Sequence, residues 1–157
     1  MPYQVAVCGP QDCTDVDAEH ARRVGRLLAE HGVIVLCGGG DGVMGAVAEG
    51  ARSAGGLVIG ILPGKSRMGA NEHLSAAMAT GMGQARNAVL VTSADAVIVV
   101  GGSWGTLSEL ALAMRQGIPV ISVGGWAVLA ADGTPVPGID HQPDPEAAVA
   151  RAMRAGG

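Results

Sequence analysis

The sequence predicts a doubly wound parallel α/β sheet, and three observations carry that expectation. Short β-branched runs alternate with stretches of helical periodicity along the chain. The runs are almost continuously apolar, as strands buried on both faces are. The 26 glycines gather at the ends of those runs and form no repeat. Such βαβ alternation implies parallel strands, right-handed crossovers and helices on both faces. About six to seven strands are expected, in one domain spanning residues 1–157.

"YQVAVCG" reads as strand one, and "DVDAEHARRVGRLLAEHG" as the helix after it. In that helix Ala21, Val24, Leu27 and Leu28 recur at helical spacing, and Gly32 stops it. "VIVLCGG" is strand two, followed by a helix from Val43 to Ala54. "LVIGILPG" is strand three, and Lys65 to Leu74 is a loop. A short fourth strand is expected near Ala76 to Ala79, and a helix from Gln84 or Ala85 to Ala94. "AVIVVGG" is strand five, with a helix from Leu107 to Gln116, and "IPVISVGG" is strand six. The stretch after Gly125 carries scattered Gly and Pro and supports no firm assignment. Asp144 as N-cap and Pro145 at the first helical position open a closing helix.

Composition excludes several function classes. The net charge is −4, there is no basic stripe, and Phe is absent, so a nucleic-acid partner lacks its footprint. No apolar run reaches membrane-spanning length, and no signal-like segment opens the chain, so a cytoplasmic protein is expected. Cys8, Cys13 and Cys37 lack metal-site spacing, and no metal is expected. Cys8 and Cys37 end predicted strands, where a small buried residue is the plain reading.

Doubly wound sheets bind ligands at the C-terminal strand ends, where strand order reverses. Two glycine loops fall there. In "CGGGDGVMG", Gly40, Gly42 and Gly45 match G-x-G-x-x-G between a strand and a helix. The loop follows strand two, however, and no acidic residue ends strand three, which argues against a dinucleotide. A phosphate cradle and a tight packing turn both remain open for it. The second loop is "GGSWGT", where two glycines, two hydroxyls and a helix start favour an anion. Here too a purely structural alternative stands: "TLSE" matches a capping box, with Thr106 as N-cap and Glu109 at N3.

"GGGDGVMGAVAEGA", then "ARN", then "GGSWGTLSE" together resemble the LONELY GUY (LOG) family, also termed lysine-decarboxylase-like. The order and spacing agree over roughly the first three quarters of the chain. The resemblance implies a Rossmann-like fold, a homodimer or higher homo-oligomer, and no required cofactor. It implies an enzyme that hydrolyses the N-glycosidic bond of AMP or an N6-substituted, cytokinin-type AMP, giving base and ribose 5-phosphate. By it, Arg86 and Glu109 are the catalytic pair. Gly9, Gly39, Gly40, Gly42, Gly101, Gly102, Ser103, Gly105 and Thr106 are the expected phosphate and nucleotide contacts.

Four departures mark a divergent branch near the molybdenum-cofactor carrier proteins. Gly101 replaces the family's proline, Ser103 its second glycine and Asn87 its lysine, and the first glycine loop is one residue shorter. The alternative function is therefore a binding or carrier protein for a nucleotide or a pterin-type cofactor. A pyridoxal-phosphate decarboxylase is not expected, because Lys65 is the only lysine and lies in a loop after strand three.

Overall fold

A computed structural model of the chain describes residues 1–155. The strands are β1 (Gln4–Cys8), β2 (Ile34–Cys37), β3 (Val58–Leu62), β4 (Ala76–Ala79), β5 (Ala96–Val100), β6 (Val120–Val123) and β7 (Ile139–Gln142). The α-helices are α1 (Asp15–Glu30), α2 (Val43–Ser53), α3 (Arg86–Thr92), α4 (Trp104–Arg115) and α5 (Pro145–Ala155). All strand pairs are parallel, in the order β4-β3-β2-β1-β5-β6-β7. The doubly wound class is thus confirmed, and the switch point lies between β1 and β5.

Parity along each strand divides the core. Val5, Val7, Val35, Ile98 and Val100 face α1, α2 and α5. Ala6, Cys8, Leu36, Val97 and Val99 face α3 and α4. Strands covered on both sides need apolar residues at every position, hence the continuous runs. With no Phe available, the largest fully buried side chains are Leu28, Leu90, Ile98 and Ile121.

Helices α1 and α2 approach to backbone contact. A Cβ on Gly50 would stand 1.9 Å from the Arg22 carbonyl oxygen, and one on Gly25 2.1 Å from that of Val47. Each glycine thus admits the other helix's backbone.

Two boundaries differ from those expected. Strand β7 emerges from the unassigned stretch at "IDHQ", half-buried at the sheet edge and paired with β6 alone. Its polar side chains hid it, since an edge strand needs no continuous apolar face. Helix α4 begins at Trp104, not Leu107. The closing helix starts as predicted, with Ala147 N–H donating to Asp144 Oδ1 at 2.8 Å. Among the described residues no helix is long and apolar enough to cross a membrane.

Candidate functional site

The loops after β1, β2, β5 and β6 converge at the switch point. Gly9 is required by packing: its Cβ would meet Val100 O and Val43 Cγ1, each at 2.4 Å. Gly42 caps α2 at φ 65°, and its Cβ would stand 2.1 Å from the Gln11 carbonyl oxygen. Gly39 lies against Leu62, while Asn71 Nδ2 donates to Gly40 O at 3.1 Å and ties the loop down. The first loop is therefore a tightly packed turn as well as a candidate ligand wall.

The second loop is built differently. Ser103 is the N-cap of α4, its Oγ accepting from Thr106 N–H at 3.1 Å and lying 2.9 Å from Thr106 Oγ1. The capping box between Thr106 and Glu109 does not form, because the helix begins before Thr106. Serine in place of the family's glycine supplies the cap, and Glu109 is freed from capping. Among the described residues, the N–H groups of Gly102, Ser103, Trp104 and Gly105 meet no protein acceptor. Orphan donors at a helix start favour an anion. Gly105 has no packing reason to be glycine, since the nearest atom to its Cβ position is Ser103 Oγ at 3.9 Å. Room is left there for close approach to backbone.

Arg86 opens α3, and its guanidinium is held firmly. Nη1 donates to Gly38 O and to Ile61 O, each at 2.6 Å, and Nε donates to Asn87 Oδ1 at 2.9 Å. The β2 and β3 carbonyl ends thus hold a side chain that the helix dipole alone would disfavour at this position. A cavity of about 270 Å³ beside it is lined by Gln11, Gly40, Met44, Leu62, Met68 and Arg86. A larger hollow of about 380 Å³ lies at the N-terminal ends of β6 and β7, away from these groups. Strand-end logic favours the smaller one.

Glu109 lies half-buried on the second turn of α4. Burial pushes its carboxyl above the usual range, against the opposing pull of the Cys8 thiol and the Arg86 charge. Cys8, 1% exposed, is itself pushed up by burial and by Glu109. Cys8 ends β1, Arg86 opens α3 and Glu109 lies on α4, and the Arg86 charge lowers both of the other two against their burial. A half-buried carboxylate held away from its ordinary protonation range is the kind of group that acid–base chemistry uses.

Sequence reasoning left three neighbours without a structural role. The Asp17 carboxylate fills the space beside Gly101, with Oδ2 2.8 Å from where a Cβ would stand; Gly101 itself has φ 75°. Trp126 lies across Gly102, its Cδ1 2.5 Å from that glycine's Cβ position. Trp104 and Trp126 meet edge to face, with ring centroids 4.9 Å apart. The third is Asn87, buried between Arg86 and α4. Only the glycines in "GGSWGT" and "VGGW" could have signalled the tryptophan contact, and those signal turns in general.

These are the chain's only tryptophans. Tryptophan emission therefore reports the second loop together with the loop after β6 that packs across it. Titration with inorganic phosphate or AMP is expected to shift or quench the emission, and Gly105→Val, which fills the open approach, to abolish the change. An unchanged spectrum at saturating ligand would show that the loop takes neither.

The fold and site define a Rossmann-like α/β protein with a crevice beside Arg86 at the C-terminal ends of β2 and β3. The chain belongs to the SLOG cluster4 family, whose model matches residues 2–149. It is 46% identical over 120 residues to an uncharacterized protein of Archaeoglobus fulgidus, covering 76% of this chain and 79% of that one. It is 33% identical over 117 residues to the cytokinin riboside 5′-monophosphate phosphoribohydrolase of Mycobacterium tuberculosis, covering 69% of this chain. The match spans 63% of that enzyme's own length. Among solved structures, the molybdenum cofactor binding protein of Rippkaea orientalis is similar with TM-score 0.89 and 32% identity, covering 98% of this chain and 97% of that one.

Proposed function

We propose that the crevice binds a nucleoside 5′-monophosphate and hydrolyses its N-glycosidic bond. The observation that carries this reading is the row of N–H groups from Gly102 to Gly105, without acceptors among the described residues, that leads into the helix carrying Glu109. The 5′-phosphate would lie on those donors, with Ser103 and Thr106 beside it. Gly9, Gly39, Gly40 and Gly42 would form the facing wall. Binding energy from the phosphate then fixes the ribose, so that remote contacts position the reacting carbon.

Bond breaking develops positive charge on the ribose. The Glu109 carboxylate stabilises that charge and orients a water for attack at C1′. The C1′–N bond breaks with its electron pair passing to the base, and the water oxygen bonds C1′. The water's proton passes through Glu109 to solvent or to the departing base. Arg86 contributes Nη2, whose two N–H groups have no described protein partner. They suit a ligand oxygen as a fixed fork. Incubation with AMP and N6-substituted AMP is expected to release free base, read by chromatography. No release from either, with the protein folded, defeats the reading.

A second reading is carriage of a phosphorylated pterin cofactor, favoured by the end-to-end likeness to the Rippkaea orientalis protein. The same loop would hold the phosphate. Tight binding without turnover, unaffected by Glu109→Gln, is its signature.

A further inference from the structure

We propose that Asn87 is a positioning residue that locks the Arg86 guanidinium in plane and ties it to the phosphate-loop end of α4. The inference rests on the reading of Arg86 as a ligand-binding group. Asn87 is 3% exposed, and both ends of its carboxamide are used. Oδ1 accepts from Arg86 Nε–H at 2.9 Å, and Nδ2 donates to Ser108 Oγ at 3.3 Å. Ser108 Oγ–H in turn donates to Gly105 O at 2.7 Å. The chain of hydrogen bonds runs from the arginine to the residue with open space above its backbone.

Donor accounting gives the consequence. A guanidinium has five N–H donors in one plane. Nε is held by Asn87, and Nη1 by Gly38 O and Ile61 O. Those partners come from α3, from the loop after β2 and from β3, so the plane cannot rotate and Nη2 is the free edge. Without Asn87, both remaining anchors lie on Nη1, and the group can pivot about that atom. A lysine at this position, as in the LOG pattern, offers no acceptor and would leave Nε–H unpaired. Asn87 thus replaces a second cation with a geometric constraint. Because α3 is short, its tie to α4 also couples the arginine's pose to the loop that would hold phosphate.

The test combines a spectroscopic readout with an affinity. In wild type the Arg86 Nε–H should give an assignable, slowly exchanging NMR signal. Asn87→Leu is expected to speed that exchange at least about tenfold and weaken AMP binding by about tenfold, roughly 1.4 kcal/mol. Asn87→Asp keeps the acceptor and should restore Nε–H protection. Ser108→Ala, at an exposed position, should leave Nε–H protected yet weaken AMP binding severalfold. Unchanged exchange in Asn87→Leu overturns the proposal. If that variant does not fold, unchanged AMP affinity in Ser108→Ala overturns it instead. Failure of wild type to bind AMP defeats the nucleotide reading alone, because the Nε–H exchange still tests the role of Asn87.

Discussion

Glu109→Gln is expected to lose base release from AMP by about 10²- to 10⁴-fold, the span general acid–base groups supply, and at the same time to melt at a higher temperature. The two effects share one cause. Burial holds the Glu109 carboxyl above its ordinary range. Between the ordinary glutamate value and the raised native one, the folded state binds more protons than the unfolded state. Stability therefore falls as pH rises through that window. Above it the wild type carries a desolvated carboxylate, which the neutral amide removes. The Tm advantage of the variant should be near zero below the ordinary glutamate range and grow towards neutral pH. Each kcal/mol recovered reads as about 2–4 °C. Scanning fluorimetry of both proteins, from below the ordinary glutamate range up to neutral pH, measures it. A variant that melts lower at neutral pH would show Glu109 to be structural. In the proposed reaction the ionised form acts, so the wild-type rate should rise with pH, with its half-point above the ordinary glutamate range.

Gly50→Ala is expected to destabilise the fold by about 3 kcal/mol, near the upper end of overpacking costs, lowering Tm by about 6–12 °C. Helix propensity alone predicts the reverse, since Ala in a helix interior is favoured over Gly by about 0.8–1.0 kcal/mol. Sterics decides the sign. The new Cβ would stand 1.9 Å from the Arg22 carbonyl oxygen and 2.7 Å from its carbon. Those are backbone atoms, so no side-chain rotation relieves the clash and α1 must move away. Gly45→Ala is the internal control on the same helix. Its Cβ would meet only Gly40 O, at 3.6 Å, so propensity should win and Tm should hold or rise. Thermal melts of the two variants side by side decide the matter. Equal behaviour would mean that the helices are not held at backbone contact.

The parts of the fold legible from sequence are those fixed by burial. Val5, Val35 and Val97 lie in continuous apolar runs because both sheet faces are covered, and such runs announce themselves. Strand β7 does not, because Asp140 and His141 at an edge answer to pairing and solvent and not to a core. The start of α4 at Trp104 differs from the expected Leu107 for a related reason. "TLSE" is locally sufficient as a cap, and only the placement of Ser103 after β5 shows that the helix has already begun. Arg86 was identifiable from its place in "ARN", but its anchors Gly38 and Ile61 lie 48 and 25 residues away. Asn87 stood out as a departure from a pattern, and its function needed the positions of Ser108 and Arg86 together. The contacts of Asp17 with Gly101 and of Trp126 with Gly102 are long-range consequences of glycine's missing Cβ, which leaves no periodic trace.

The backbone contact between α1 and α2 also makes the molecule mechanically lopsided. One face of the sheet carries three helices, two of them interlocked, while the other carries α4 and the brief α3. Local opening follows the density of buried contact. Local opening is therefore expected first on the α3 side. The carbonyls of Gly38 and Ile61 that hold Arg86 belong to the β2 and β3 ends, so the guanidinium is pinned to the sheet even though its own helix is the less densely packed one.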